Sequence, residues 1–300
     1  MNVLMTGATG FIGTVLSRRL LRDGHHVTAW VRSPERARAR LGEDVRLVAG
    51  DPEGLAEALT GVDAVLNLAG ESLVGARWTP ARRVALVDSR VGVTTRLVEA
   101  LARARPRPAT LVSASAVGWH GDAGTRRVRE DDPPAGDFLA TLCRDWEDAA
   151  RGAEPLGVRV ALPRMGLVLG SGGGTLGRLV PLARFGLAGR MGSGRQVVAW
   201  IHLDDLVEIW IVALTDTRIR GPFHATAPEP ATNDDFTRSL ARAMGRPSGL
   251  PIPSAALRLA LGEAAQVLLG GQDARPDRLL EWGFTFRFPT LDAALGNLAA

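Results

Sequence analysis

The sequence contains no lysine and no tyrosine. All 36 of its basic residues are arginines, and 32 acidic residues leave a net charge of only +4. Without lysine the chain cannot form a Schiff base, anchor pyridoxal phosphate or use the phosphate-binding lysine of a Walker loop. The small net charge and the lack of a basic block give no reason to expect nucleic-acid binding.

Cysteine is almost absent as well. A single residue, Cys143, excludes an intrachain disulfide and a cysteine-rich metal site, and it fits a reducing compartment. No apolar run reaches the ~18 residues of a membrane span, and residues 1–5 have the pattern of a strand rather than of a charged leader. The 300 residues are 46% hydrophobic and 23% charged, which is typical of a globular protein. We therefore expect a cytoplasmic protein without a membrane partner.

Short aliphatic runs alternate with amphipathic stretches through the first two hundred residues. Uninterrupted aliphatic runs are typical of strands that are buried on both faces of a parallel sheet. The alternation predicts an α/β fold, a Rossmann-like doubly wound parallel sheet covered by helices. A smaller, mainly helical C-terminal region on the substrate side follows from Pro247. The predicted strands are 2–5, 26–31, 46–49, 64–68, 110–113, 158–162 and 197–201, and the predicted helices are 11–22, 34–41, 54–60, 80–104, 136–153 and 176–184.

A glycine-rich loop separates the first predicted strand from the first predicted helix. Its sequence is Gly7-Ala8-Thr9-Gly10-Phe11-Ile12-Gly13, with the spacing G-x-x-G-x-x-G. Such glycines permit a tight turn and let the backbone approach a pyrophosphate, while the helix N-terminus supplies N–H donors and partial positive charge. The loop and its context predict dinucleotide binding. The alternative is a tight turn with a purely structural role.

The end of the second predicted strand bears on the choice of dinucleotide. An acidic residue at this place accepts the ribose 2′-hydroxyl of NAD, whereas an arginine accommodates the 2′-phosphate of NADP. Arg32 and Ser33 stand here, and Arg36 follows. A guanidinium pairs well with a phosphate, so we expect NADP, with NAD less favoured. The alternative is that Arg32 is one solvated arginine among many.

Several long motifs follow along the chain. They are N-L-A-G-E at 67–71, S-A-S-A-V-G at 113–118, C-R-D-W-E at 143–147, W-I-H-L-D-D at 200–205 and G-F-T-F-R-F-P at 283–289. Together they resemble the extended short-chain dehydrogenase/reductase superfamily. They are most similar to a branch usually called "epimerase family protein", related to NAD-dependent epimerases and dehydratases, which carries a short C-terminal domain of unknown function. The resemblance implies an NAD(P)-binding domain at 1–230 and a small domain at 248–300 that completes the substrate cleft.

The chain departs from the superfamily at its catalytic positions. The resemblance implies a catalytic set of a Ser or Thr, a Tyr, and a Lys four residues after the Tyr. In this set the Lys lowers the pKa of the Tyr, and the Tyr exchanges a proton with the substrate. Taking Glu147 as the superfamily's usual glutamate puts Leu139 at the Tyr position and Cys143 at the Lys position. Two usual anchors of a nucleotide diphosphate are likewise replaced, by Leu167 and Val198, which weakens a sugar-epimerase assignment.

Three side chains are candidates for the missing catalytic group. Ser115 could donate a hydrogen bond to a substrate oxygen. His120, in the loop after the fifth predicted strand, could be the proton donor, because histidine is suited to proton transfer near neutrality. The alternative is that His120 is an exposed loop histidine. Cys143 could be a proton donor or a redox-sensitive thiol, and a small buried residue is the alternative.

Other polar residues have more structural interpretations. His202, with Asp204 and Asp205, is expected to cap and orient the helix that begins there. Arg77 and Arg195 could contact an acidic substrate or lie solvated on the surface. No spacing of His, Asp or Glu indicates a metal site.

Two functions remain open at this point. The first is an NADP-dependent oxidoreductase, epimerase or dehydratase-like enzyme that acts on an unidentified small polar substrate. The second is a non-catalytic NADP(H)-binding sensor or regulatory protein, which the loss of Tyr and Lys favours. The oligomeric state is left open. The residues predicted to bind the cofactor are Gly7, Thr9, Gly10, Phe11, Ile12, Gly13, Arg32, Ser33, Asp51, Leu68, Ala69, Gly70 and Ser113.

Overall fold

A computed structural model describes residues 1–49 and 52–299. Within these residues no helix is long and apolar enough to cross a membrane. The strands, in chain order, are β1 (Asn2–Thr6), β2 (His26–Trp30), β3 (Arg46–Val48), β4 (Ala64–Asn67), β5 (Thr110–Ser113), β6 (Ser115–Ala116), β7 (Arg127–Val128), β8 (Arg159–Met165), β9 (Leu167–Leu169), β10 (Val197–Val198), β11 (Trp200–His202), β12 (Gly221–Ala225), β13 (Ala231–Thr232) and β14 (Asp273–Ala274).

Helices connect most of the strands. A π-helical turn at Asp88–Gly92 joins two of them, and 3₁₀ turns lie at Val117–His120, Glu154–Leu156 and Gly262–Ala265. The α-helices are α1 (Phe11–Arg22), α2 (Pro34–Leu41), α3 (Pro52–Ala58), α4 (Pro80–Val87), α5 (Val93–Arg103), α6 (Phe138–Arg151), α7 (Leu176–Arg184), α8 (Leu203–Thr215), α9 (Asn233–Ala243), α10 (Ser254–Leu261), α11 (Gln266–Leu269), α12 (Asp277–Glu281) and α13 (Leu291–Ala299).

The central sheet is parallel, with the strand order β12-β8-β5-β4-β1-β2-β3 and the short β6 beside β8. The predicted Rossmann-like fold is therefore confirmed. Along β1, Val3 and Met5 pack in one hydrophobic cluster and Leu4 packs in a second. Successive side chains of a strand point to opposite faces, so the continuous apolar run reflects helices on both sides. The strand order reverses beside β1, where such sheets open their ligand crevice.

Several elements differ from the sequence expectation. The predicted helix 80–104 is divided, because the π-helical turn interrupts it between α4 and α5. The predicted strand 197–201 breaks at Ala199 into β10 and β11, which pair with β13 and β9 rather than with the central sheet. The edge strand β12, Gly221–Ala225, was not predicted, since its mixed composition has no aliphatic run.

The C-terminal region packs closely against the main sheet. Strand β14 pairs with β7, and an isolated bridge joins Met191 to Ile252. The buried carboxylate of Asp205, at the start of α8, accepts hydrogen bonds from the backbone N–H groups of Arg287 at 2.8 Å and Phe288 at 2.9 Å. These contacts hold the C-terminal chain against β7, the chain before β10 and the start of α8.

Candidate functional site

A cleft of about 470 Å³ opens at the carboxyl ends of the central strands. The glycine loop, the chain that follows β4 and one face of α6 form its walls. The C-terminal region closes it with Gln266, Val267, Leu268, Gly270 and Gln272. The cleft therefore combines the predicted cofactor loop with residues from the opposite end of the chain.

The glycine loop is shaped for close backbone approach. Gly7 has a φ of +65°, and a Cβ there would lie 2.5 Å from the carbonyl oxygen of Leu68. A Cβ at Gly13 would lie 2.2 Å from the carbonyl oxygen of Gly7. Any side chain at either position would push the backbone apart, so the loop keeps a surface on which a pyrophosphate can approach the N-terminus of α1.

A buried hydrogen-bond network holds the chain after β4 beside this loop. The hydroxyl of Thr6 donates to Asn67 Oδ1 at 2.6 Å and accepts from the N–H of Ala69 at 3.1 Å. The amide of Asn67 donates to the hydroxyls of Thr94 at 2.8 Å and Ser113 at 2.9 Å. Ser113 is thus fully buried in the network and does not line the cleft.

Arg32 lies at the end of β2 with its side chain 95% exposed. It forms an ion pair with Glu71, at 3.8 Å, and the carboxylate of Glu71 also binds Arg82. Ser33 occupies the N-cap position of α2 without a side-chain capping bond, and Arg40 donates to the carbonyl of Thr9 at 2.9 Å. The guanidinium of Arg32 is therefore accessible to an anion from solvent.

The predicted cofactor residues divide into three groups. Asp51 lies outside the described residues and stays a prediction. Seven of the others line the cleft, namely Gly7, Gly10, Phe11, Ile12, Gly13, Leu68 and Gly70. Five do not line it, namely Thr9, Arg32, Ser33, Ala69 and Ser113.

Ser115 lines the cleft, but its proton is engaged. Its hydroxyl donates to Glu147 Oε1 at 2.6 Å. Arg164 donates to both oxygens of the same carboxylate, at 2.7 and 3.0 Å, and all three side chains are buried. Ser115 can accept a hydrogen bond from a substrate hydroxyl, but it cannot polarise a substrate carbonyl while this bond persists. The predicted donor role of Ser115 therefore needs correction.

Helix α6 presents Leu139 and Cys143 to the cleft, four residues apart. These are the positions at which the resemblance implied Tyr and Lys, and both face the place where such residues would act. Burial, with the nearby Glu147 carboxylate, raises the pKa of the Cys143 thiol to about 12. At neutral pH the thiol is protonated, so Cys143 is a weak hydrogen-bond donor and not a thiolate nucleophile.

Arg90 is a cleft residue that the sequence analysis did not single out. The π-helical turn before α5 brings it under Gly70, where a Cβ would lie 3.1 Å from its guanidinium carbon. Its Nη2 donates to the carbonyl of Glu71 at 2.8 Å, and its guanidinium lies 5.3 Å from the centre of the Trp146 ring. Burial lowers its pKa from the usual value. Arg90 places a buried positive charge close to Cys143, on the side of the cleft that lacks lysine.

The structure argues against His120 as the proton donor. His120 is buried outside the cleft lining, and its Nε2 lies 2.8 Å from Nε2 of His224. His224 Nδ1 lies 2.9 Å from the carbonyl oxygen of Arg275, so this nitrogen carries the proton of the His224 ring and donates it to the carbonyl. The other nitrogen of His224, Nε2, is then an acceptor, and His120 Nε2–H donates to it. Burial, with a smaller effect of His224, lowers the pKa of His120 to about 3. His120 is neutral near pH 7 and holds the C-terminal chain to the sheet.

The cap predicted at α8 is present. His202 occupies the N-cap position, where its Nδ1 accepts from the N–H of Asp204 at 3.1 Å, and burial lowers the pKa of this imidazole. Asp205 binds backbone N–H groups as described above. Residues 1–49 and 52–299 contain no group of three or more His, Cys, Asp or Glu side chains that could hold a metal ion.

The lining of the cleft is mostly apolar. Leu167 and Val198, the two residues in place of diphosphate anchors, both face it. Arg77 and Arg195 do not line it, and Arg77 instead bonds the carbonyls of Leu259 and Ala260. This lining disagrees with the small polar substrate that the sequence led us to expect.

Comparison with known proteins identifies the family. The model of the NAD dependent epimerase/dehydratase family matches residues 3–223, and a domain of unknown function, DUF1731, matches residues 252–298. The chain belongs to the NAD dependent epimerase/dehydratase family. The resemblance drawn from the motifs is confirmed.

Individual relatives match along nearly the whole chain. Epimerase family protein MT2273 of Mycobacterium tuberculosis is 43% identical over 295 residues, which cover 98% of this chain and 96% of the relative. A homolog of SDR39U1 from Arabidopsis thaliana, named chloroplastic, is 39% identical over 299 residues, which cover 98% of this chain and 86% of the relative. The crystal structure of human SDR39U1 isoform 2 with NADPH superposes with a TM-score of 0.90 at 35% identity, covering 100% of this chain and 99% of the human one.

Proposed function

We propose that the chain binds NADP(H) in the cleft and acts as an oxidoreductase or epimerase/dehydratase-like enzyme on a small molecule. The observation that carries the proposal is the continuity of the cleft. It runs from the glycine loop to the face of α6 and is closed by the C-terminal region. A protein that only held a nucleotide would not need this additional enclosed space.

The glycine loop fits the pyrophosphate of a dinucleotide, since Gly7 and Gly13 keep the backbone free of side chains where phosphate oxygens approach. The exposed guanidinium of Arg32 favours the 2′-phosphate of NADP over the hydroxyl of NAD. The human relative, crystallised with NADPH, supports the same choice.

The residues around the cleft divide the chemical tasks. When bound, NADP(H) would donate or accept a hydride. The hydroxyl of Ser115, fixed by Glu147, would orient a substrate hydroxyl by accepting its proton in a hydrogen bond. The neutral thiol of Cys143 is a second polar contact, and the buried charge of Arg90 would stabilise negative charge that develops on a substrate oxygen.

We also propose that the chain is organised as an NAD(P)-binding domain at 1–230 and a small C-terminal domain at 248–300. Gln266, Val267 and Leu268 support this division because they complete the cleft from the C-terminal side. A cytoplasmic location stays a prediction, and one relative is named chloroplastic.

A non-catalytic NADP(H)-responsive protein is the second candidate. One observation favours it: the described cleft-lining residues include no group suited to proton exchange near neutrality. The thiol of Cys143 has its pKa raised to about 12, and the Ser115 proton is held by Glu147. To separate the candidates, the purified protein with NADPH is incubated with a panel of carbonyl compounds while NADPH fluorescence is followed. Consumption of NADPH supports the enzyme, and none with any compound supports the sensor.

The cofactor assignment is tested by titrating the protein with NADPH and NADH and following the fluorescence of the nicotinamide. Arg32→Ala should weaken NADPH binding about tenfold and leave NADH binding unchanged, because one exposed charge-assisted contact is lost. Arg246→Ala, an exposed arginine in the chain after α9, is the matched control. An unchanged NADPH/NADH ratio in Arg32→Ala would refute the role of Arg32.

A further inference from the structure

Two apolar walls enclose one part of the cleft. On one side Leu73, Leu139 and Val267 pack around the buried Leu142 in a single hydrophobic cluster. On the other side the lining includes Leu167, Val168, Leu179 and Val198, which pack against the main core. We call the space between these walls the apolar chamber. It continues directly from the part of the cleft that contains Ser115 and Cys143.

Few of the side chains that line the cleft are charged. Among the lining residues that the structure describes, only Glu71 and Arg90 are charged. Glu71 is paired with Arg82 and lies near Arg32, and Arg90 donates to the carbonyl of Glu71. Arg90 lies beside Gly70 and Trp146 and already donates to the backbone carbonyls of Leu86 and Glu71. The two phosphates of a nucleoside diphosphate would therefore lose their hydration here with one described cation to meet, which disfavours their binding.

The polar groups at the chamber are neutral. Gln266 lines the cleft, and its side-chain amide has no hydrogen-bond partner among the described residues. The other glutamine of this segment, Gln272, is engaged, since its amide donates to the carbonyl of Gly121. The amide of Gln266 and the neutral thiol of Cys143 suit a single uncharged oxygen on an otherwise apolar molecule.

We infer that the apolar chamber takes an uncharged, mainly apolar carbonyl compound or the corresponding alcohol, and not a nucleoside-diphosphate sugar. The reactive group in this inference rests on the proposed oxidoreductase function, whereas the apolar recognition does not. In the reductive direction the carbonyl carbon gains a hydride from NADPH and its oxygen gains a proton from solvent. One carbonyl compound, one NADPH and one proton then give one alcohol and one NADP⁺.

Recognition is tested first with ligands that cannot react. Unbranched primary aliphatic amides of increasing length are titrated by calorimetry into the full-length protein saturated with NADPH. Each added methylene should tighten binding about three- to fourfold until the chamber is full, because it removes that much more apolar surface from water. UDP-glucose should not bind this complex detectably. Amide affinities that do not change with chain length, or UDP-glucose that binds more tightly than the longest amide, would overturn the inference.

Substitution in the chamber wall localises the effect. Val267→Asn should weaken the longest amide at least about tenfold, since it places a polar group on the apolar wall. Leu259→Asn is the control, because Leu259 lies on α10, is 77% exposed and does not line the cleft. Unchanged NADPH affinity in both variants shows that they fold. Equal amide affinities in the two variants would place the amide elsewhere and overturn the inference.

Turnover is measured separately with aliphatic aldehydes and ketones of matching length. NADPH consumption that increases with chain length supports both the chamber and the oxidoreductase. Amide binding with the expected length dependence, but no NADPH consumption by any carbonyl, would support the chamber and refute the oxidoreductase. The two proposals can therefore fail independently.

Discussion

Acidification should destabilise the protein through His120. This imidazole is 5% exposed, and its pKa is lowered to about 3, mainly by burial. An unfolded chain has a histidine pKa of about 6.5. Between these two values the unfolded chain binds more protons than the folded one, so the free energy of unfolding falls as the pH falls. The contribution of His120 is complete above about pH 6.5 and is progressively lost toward pH 3.

The magnitude follows from the difference in pKa. Between about pH 7 and pH 4.5 the loss due to His120 alone is about 3 kcal/mol, at ~1.4 kcal/mol per pH unit below the unfolded pKa. His120→Gln should remove this part of the pH dependence while keeping a donor for His224 Nε2. The assay is urea unfolding at both pH values, and the comparison is the difference between them within each protein.

The control for this prediction is His26→Asn, which removes an exposed imidazole from β2. It should retain the pH dependence of the parent protein. If the free energy of unfolding of His120→Gln falls between the two pH values by as much as that of the parent protein, the hypothesis that His120 is buried and neutral is wrong. A pH dependence that disappears equally in both variants would have the same consequence.

Three further predictions concern the cleft. Glu147→Gln should lower the free energy of unfolding by about 3–5 kcal/mol in a urea titration, because it leaves the buried guanidinium of Arg164 without its counterion. Glu154→Gln is the control, and it should change this free energy by less than about 1 kcal/mol because the pair of Glu154 with Arg151 is exposed. Gly13→Ala should abolish NADPH binding, since its Cβ would lie 2.2 Å from a carbonyl oxygen of the loop, whereas Gly296→Ala, in open space on α13, should bind normally. At about pH 8, iodoacetamide should alkylate Cys143 roughly a thousandfold more slowly in the folded than in the urea-unfolded protein, because burial suppresses the thiolate. The alkylation rates are measured by mass spectrometry, and comparable rates would contradict the raised pKa of Cys143.

Local patterns were sufficient for much of the fold. The aliphatic run at Asn2–Thr6, the glycine spacing and the helical spacing of α1 lie next to one another in the chain. Their physical requirements are therefore visible in a short stretch of sequence. Strand β12 was missed because it has no aliphatic run of its own, and it is defined by its pairing with β8, which lies before α8 in the chain.

The chemical groups of the cleft were harder to predict, because their partners are distant in sequence. Ser115 was expected to donate to substrate, but Glu147, 32 residues away, holds its proton. His120 was expected near the substrate, but it pairs with His224, 104 residues away. Arg90 has no sequence feature that marks it as a cleft residue except its place in a turn whose π-helical form depends on packing.

The amino-acid sequence alone was enough for the family, the cofactor loop and the absence of a Tyr–Lys pair, since each of these depends on residue identity and short spacing. The packing of the folded chain determines which of the remaining polar side chains still have a hydrogen-bonding group available to a ligand. Burial in the folded chain keeps Cys143 protonated and His120 neutral, and it brings the positive charge of Arg90 to the cleft. Protonation and hydrogen-bond availability depend on the whole surroundings of a group, and those surroundings exist only once the chain has folded.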